Sequence, residues 1–341
     1  MESLVCPMVK PADRPRLQHT VEHMIIPYAG HLLTSLQGVT WWALAAGLVI
    51  HLLVICARAQ AWGNALRRAF PSSHVRYRAA LGATAMGGAA NAVIPVRGGT
   101  LVKLSLARTA IPGSTYPALL ASLLTLAICD IAINWGFIIW GVASGQLPAV
   151  RQIVIDPCVL GGACVRHPLL ISLVGLALLT TLVFALLLLF SHLAPLKRGF
   201  LQGLAAARDW RFFLGKVWSW QLAAMGLQIA GWWLFLYAFH AGASIERACL
   251  VQAVAAVSCG LAFLPGGSIV GQGVLVFALA GRVSVSRLLT FAIGLRLSLD
   301  VINVSFGAAT LGLVWKKGLT ALRRQMRIRT PAAPELAPST D

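Results

Sequence analysis

The sequence predicts an all-α polytopic membrane protein. Its expected architecture is an inverted-repeat helical bundle with two re-entrant, Pro/Gly-broken hairpins. Three observations lead there. Of the 341 residues, 58% are apolar and only 11% are charged, whereas a soluble domain carries about a quarter charged residues. The basic residues gather in short connections between apolar runs. Two further apolar stretches are interrupted by Pro and Gly.

This composition excludes a cytosolic enzyme with a polar surface, a secreted disulfide scaffold and a disordered chain. The formal charge of +18 comes from 28 Lys and Arg against 10 acidic residues. On a soluble protein that balance suggests nucleic acid. Between apolar runs it is the pattern that orients a membrane protein, so no nucleic-acid partner is expected.

The elements follow in chain order. Residues 1–38 carry Lys10, Arg14 and Arg16 and, over 17–38, scattered apolar residues with three histidines, and are read as an N-terminal interfacial segment or a degenerate first span. Spanning helices need about 20 predominantly apolar residues. The runs 39–57, 115–143, 169–191 and 217–239 meet that need. So does 287–313, although it carries Arg296, Asp300 and Asn303. Residues 79–113 contain NAVIPVRGGTLVK, and residues 247–282 contain LAFLPGGSIVGQG. The transmembrane domain is thus expected over 39–315, followed by a basic tail over 316–341.

Charge sets the topology. The connections 58–78 (Arg58, Arg67, Arg68, Arg76, Arg78) and 192–216 (Lys197, Arg198, Arg208, Arg211, Lys216) are strongly basic. So is the tail, from Lys316 to Arg329. The connection 144–168 has only Arg151 and Arg166. The positive-inside rule puts the first three in the cytoplasm and the last outside. Segment 79–113 must then begin and end inside, and 247–282 must begin and end outside. A shift of 170 residues brings Pro95 onto Pro265 and Asp130 onto Asp300. Inverted halves with discontinuous helices place a site near the midplane.

The candidate site residues are the polar ones inside these segments. An ionised group at mid-membrane costs about 2.5–3.5 kcal/mol on insertion scales and needs a partner or water. Arg97, flanked by Pro95 and by Gly98 and Gly99, can form an anion cradle with a restarting helix. Lys103 lies one turn further. Arg97 could equally snorkel to headgroups or pair with Asp130. Asp130 has no basic partner on its own helix, so it must pair with another element, be protonated or face water; Arg97 or Lys103 is the natural partner, as a structural bridge or in a substrate or gating role. Arg296 and Asp300, at i and i+4, can neutralise one another. In the second hairpin Pro265, Gly266 and Gly267 break the helix, and Gln272 can hydrogen-bond a headgroup without charge. His51 reads as a packed or hydrogen-bonded histidine. Cys158 and Cys164 share the outer connection as a disulfide or as free thiols. Neither a metal site nor a cofactor is expected.

These residues resemble a known family. Asn91-Ala-Val-Ile-Pro95-Val-Arg97-Gly98-Gly99 is similar to its first signature, and Asp130 fits the aspartate that follows. Leu264-Pro265-Gly266-Gly267 with Gln272-Gly273 is similar to the second, and Ala57-Arg58-Ala-Gln-Ala-Trp62 to an early Arg-Trp stretch. The family is the lysylphosphatidylglycerol synthase transmembrane region, also called flippase-like. The resemblance, over about residues 40–315, implies a lipid translocase without a synthase domain. Thr100 and Gln272 stand where the family usually has Glu, which puts proton coupling through those positions in doubt.

The expected function is translocation of an anionic or phosphate-bearing lipid between leaflets. The expected location is the bacterial cytoplasmic (inner) membrane, multi-pass, with the C-terminus in the cytoplasm. The alternatives are a membrane-embedded lipid-modifying transferase and a non-catalytic partner of a lipid-synthesis complex. Membrane lipids, lipid-synthesis enzymes and a second copy of the chain are the partners considered. An enzyme is disfavoured because paired acids or a His-based nucleophile site outside the membrane are not found.

Overall fold

The computed structural model describes residues 38–93, 98–145, 194–261 and 285–329. All regular structure among them is helical. The helices are α1 (Trp41–Ala69), α2 (Tyr77–Val93), α3 (Gly99–Ala110), α4 (Tyr116–Ala143), α5 (Ala194–Gly203), α6 (Ser219–Ala238), α7 (Ile245–Leu261) and α8 (Val285–Arg329). Two short helical turns and a π-helical stretch, Phe213–Trp218, join α5 to α6.

Local sequence explains the boundaries. After residue 57 the chain carries no Pro and only one Gly before Pro71, so α1 continues to Ala69. It stops there because the residue before a proline is driven out of the helical region. This corrects the expected boundary: Arg58 belongs to a membrane helix and not to a cytoplasmic connection. Pro117 opens the first turn of α4, where a missing N–H costs nothing. At the end of α6, His240 and Gly242 take φ of 51° and 72°, and the Ala241 amide returns to the Leu236 carbonyl. That left-handed exit satisfies carbonyls the helix would leave open.

Three described helices are long and apolar enough to cross a membrane: Trp41–Ala69, Tyr116–Ala143 and the stretch Arg287–Gly312 of α8. The expected run 217–239 forms α6, Ser219–Ala238. The run 169–191 lies outside the described residues, as do residues 1–37.

α1 and α6 form the central pair. The Thr40 amide donates to the Ala238 carbonyl at 2.9 Å, Gly47 lies against Phe235 and Gly231 against Ile50. The Asn64 amide donates to the Lys216 carbonyl at 2.6 Å. These contacts run in opposite order along the two helices, so α1 and α6 are antiparallel throughout.

α2 and α3 form an antiparallel helical hairpin. The turn holding Gly99 sits beside Gly87 and Asn91, and Lys103 beside Gly87. A Cβ on Gly99 would run into the Gly87 carbonyl and the Asn91 side chain, so glycine is what lets the two backbones close. At 1.5 Å per residue the arms are about 25 Å and about 18 Å long, short of a hydrocarbon core about 30 Å thick.

Two apolar clusters occupy opposite ends of the bundle. One joins Ala61–Phe70 of α1 to Val75, Ala80, Ala83, Leu104, Ala107, Ile111 and the start of α4. Both arms of the hairpin therefore begin and end at this end, as do the exposed Arg68, Arg76, Arg78, Arg108, Arg208, Arg211 and Lys216. The other cluster joins Val39–Leu44 to the end of α6, to α7 and to Leu288–Leu295 of α8.

The element bounds recur. Shifted by the 170 residues separating Pro95 from Pro265, α1 falls on Phe213–Ala238, α2 on α7 and the start of α4 on the start of α8, each within two residues. Packing is reciprocal as well. α2 lies on α8 while α7 lies on α4.

The glycine approach gives a direct test. Gly99→Ala should destabilise the protein by about 1–3 kcal/mol through overpacking. Gly136→Ala, where nothing lies within 4 Å, should leave it unchanged. Thermal unfolding of the two variants in detergent measures the difference.

Candidate functional site

Between the two apolar clusters lies a layer of polar side chains contributed by five helices. α1 supplies His51 and Arg58, α3 supplies Lys103, α4 supplies Asp130 and Asn134, α6 supplies Gln221, and α8 supplies Asn303.

Lys103 is held by an aromatic shelf. Its Nζ lies 4.2 Å from the centroid of the Trp62 ring. Trp62 is fully buried, and its indole N–H donates to Ser122 Oγ on α4 at 3.0 Å. A desolvated cation over an indole face gains about 2 kcal/mol, which helps keep an ammonium among apolar groups. Arg58 lies one turn before Trp62 on the same side of α1. Arg58 and Asp130 are both within electrostatic range of Lys103.

Asp130 departs from the expected pairing. Its carboxylate accepts from Gln221 Nε2 at 3.1 Å, and it makes no ion pair with Lys103 among the described residues. The ion pairs found there are Arg68–Asp209 at 3.3 Å and Arg296–Asp300 at 2.7 Å. A neutral amide on α6 therefore takes the place expected for a cation, because Lys103 is turned onto Trp62. Gln252 continues the polar contacts: it donates to Asn134 at 2.8 Å and accepts from Trp232 at 2.8 Å.

A second bridge crosses to the long helix. His51 Nε2 meets Asn303 Oδ1 at 3.0 Å. His51 and Gln221 correspond under the 170-residue shift, so each half sends one polar side chain from its central helix to a long helix of the bundle. Each also retains a buried atom without a hydrogen-bond partner, His51 Nδ1 and Gln221 Oε1.

The other expected site residues fall into three groups. Asn91 and Gly99 meet at the hairpin tip, where Asn91 Oδ1 accepts from the Gly99 amide at 2.9 Å. Gly98 is the residue before α3 and offers no side chain for a cap, so Asn91 caps that helix from across the hairpin. Arg296 and Asp300 neutralise each other on one face of α8, as their spacing predicts, and sit apart from Lys103. Pro95, Arg97, Pro265, Gly266, Gly267, Gln272, Cys158 and Cys164 lie outside the described residues. Cys56, Cys129 and Cys249 are free thiols. Among the described residues no group of three His, Cys, Asp or Glu is placed to hold a metal.

Sequence reasoning overlooked Gln221, Gln252 and Asn134, and it put Arg58 in a connection. Neutral amides carry no charge signal in an apolar run. For Arg58 the signal was present in the unbroken helical composition up to Pro71.

Residues 27–306 match the family model described as the lysylphosphatidylglycerol synthase TM region. The chain belongs to this family. No curated protein and no solved structure matches the chain. As a member of the lysylphosphatidylglycerol synthase TM-region family, it is a helical membrane protein linked to lipid metabolism or translocation. That setting suits a cationic layer enclosed by apolar helices.

The Asp130–Gln221 contact has a measurable consequence. Gln221→Leu removes the donor and should cost about 1–3 kcal/mol, because a carboxylate loses its hydrogen bond. The double variant Asp130→Leu, Gln221→Leu should recover much of that loss. Detergent unfolding of the two single variants and the double variant checks this through the coupling energy.

Proposed function

We propose that this protein is a lipid translocase that moves an anionic or phosphate-bearing lipid between leaflets. The observation that carries the reading is the α2–α3 hairpin. Both arms start from the basic end, each is too short to cross, and Gly88 near its tip lies beside Asn303, which bonds to His51 in the middle third of α1. This geometry supports a re-entrant element. Backbone broken at membrane depth is tolerated where protein or a wet cavity covers it, and here Lys103 sits on the hairpin itself with Asp130 of α4 in electrostatic range.

The recurring helix bounds, the antiparallel α1 and α6 and the reciprocal packing support an inverted repeat. In such folds a central site is exposed to each face in turn. Pro265, Gly266, Gly267 and Gln272 of the expected second hairpin lie outside the described residues. The translocating unit is residues 39–315, set in a bacterial inner membrane with the basic end and the C-terminus in the cytoplasm. Arg97 and Lys103 receive the headgroup, while the acyl tails stay in hydrocarbon. Asn91, Gly98 and Gly99 shape the tip, and Arg296–Asp300 is the complementary polar pair on α8. We do not assign an enzymatic step to these residues.

Two measurements test the reading. Purified protein in phosphatidylcholine vesicles should accelerate the exchange of fluorescent phosphatidylglycerol between leaflets, and Lys103→Ala or Arg97→Ala should slow it at least tenfold. Unchanged lipid exchange with well-folded protein would remove the proposal. In a cysteine-free background, Ser72→Cys and Ser144→Cys should react with an impermeant thiol reagent from opposite faces. Reaction from one face would break the topology.

A further inference from the structure

We infer that Arg58 of α1, a residue outside the two hairpins, is a further phosphate ligand of this path and with Lys103 takes the headgroup from the leaflet at the basic end. The inference deepens the translocase reading and rests on it.

Depth comes first. Arg58 is about 16 Å of helix away from the Ala69 end of α1. An arginine stem cannot cover that distance to join the exposed Arg68 at the basic end of α1. Its neighbours Ala57 and Ala59 are buried, so α1 is covered here by protein.

Its hydrogen bonding is unspent. Arg58 Nε is buried and has no hydrogen-bond partner, and neither ion pair among the described residues involves this guanidinium. Among the described residues Arg296, midway along the apolar part of α8, is instead held by Asp300. A guanidinium kept at depth without a carboxylate is costly, and the cost is recovered when an anion arrives.

The surroundings select that anion. Lys103, on the shelf one helical turn along α1, adds a second positive charge. Asp130 is the acid in range, and it is bonded to Gln221 and to neither cation. Lys103 is positioned as a point charge on Trp62, whereas Arg58 has a planar fork that matches two oxygens of one phosphate. Together they suit a phosphodiester headgroup.

The second half has no counterpart. Under the 170-residue shift Arg58 falls on Gln228 and Lys103 on Gly273. The cationic pair thus belongs to the first half alone, Arg58 on α1 and Lys103 on the hairpin that opens toward the basic end, which fixes the leaflet of capture.

The test uses full-length protein in detergent and native mass spectrometry with phosphatidylglycerol, with diacylglycerol as the phosphate-free probe and inorganic phosphate as competitor. Arg58→Gln should bind phosphatidylglycerol about tenfold to a hundredfold more weakly and diacylglycerol equally well. Gln228→Ala should bind both like the unaltered protein. Equal phosphatidylglycerol binding by Arg58→Gln would overturn the inference while leaving translocation intact. Competition by inorganic phosphate at the lipid's own affinity would overturn the lipid assignment in favour of a free anion. If the unaltered protein neither binds nor moves phosphatidylglycerol, the translocase reading falls together with Arg58. Should Arg58→Gln fail to fold, Arg58→Lys keeps the charge and removes the fork. Weaker binding by it supports the inference, and unchanged binding overturns it.

Discussion

A helix that stops partway through an apolar bundle leaves amides and carbonyls with no water to meet, and much of this structure answers that constraint. Asn91 reaches across the hairpin to the first amide of α3. Gly87 and Gly99 let the two arms touch backbone to backbone. α8 lies along α2, and α1 covers the same hairpin from another side. Each device closes off polar backbone or shields it, and each fails if the arms separate.

The same enclosure sets the electrostatics. In a low dielectric a cation must be met locally, and the protein meets its cations in three ways. Arg296 has a carboxylate one turn away on its own helix. Lys103 has the indole of Trp62, fixed in turn by Ser122. Arg58 has an unspent Nε. This gradation, from self-neutralised to open, runs from the long helix α8 through Lys103 of α3 to Arg58 of α1. It gives the polar layer a cationic side and a neutral side without altering the framework of α1 and α6.

Much of this was legible in the residues. The runs 115–143 and 217–239 correspond closely to α4 and α6, because long apolar stretches bounded by Thr115 and Pro117, or by a left-handed exit at His240, leave little choice of ends. The pairing of Arg296 with Asp300 followed from helical spacing alone. The end of α1 was not legible from hydropathy, since polar Gln60, Asn64 and Arg67 face protein in a helix that hydropathy would end at residue 57. The partner of Asp130 was not legible either. Spacing along one helix says nothing about which side chain an adjacent helix presents, and a glutamine gives no charge to notice.

The sequence by itself determined the solvent, the helical class and the break between α2 and α3, because composition and Pro/Gly placement act locally on each segment. It also determined that few charges would lie at depth. Tertiary structure alone decided which of them meet. Asp130 goes to Gln221, His51 to Asn303 and Lys103 to Trp62, because crossing helices bring together residues up to 252 positions apart. Those choices depend on packing geometry, which no local pattern encodes.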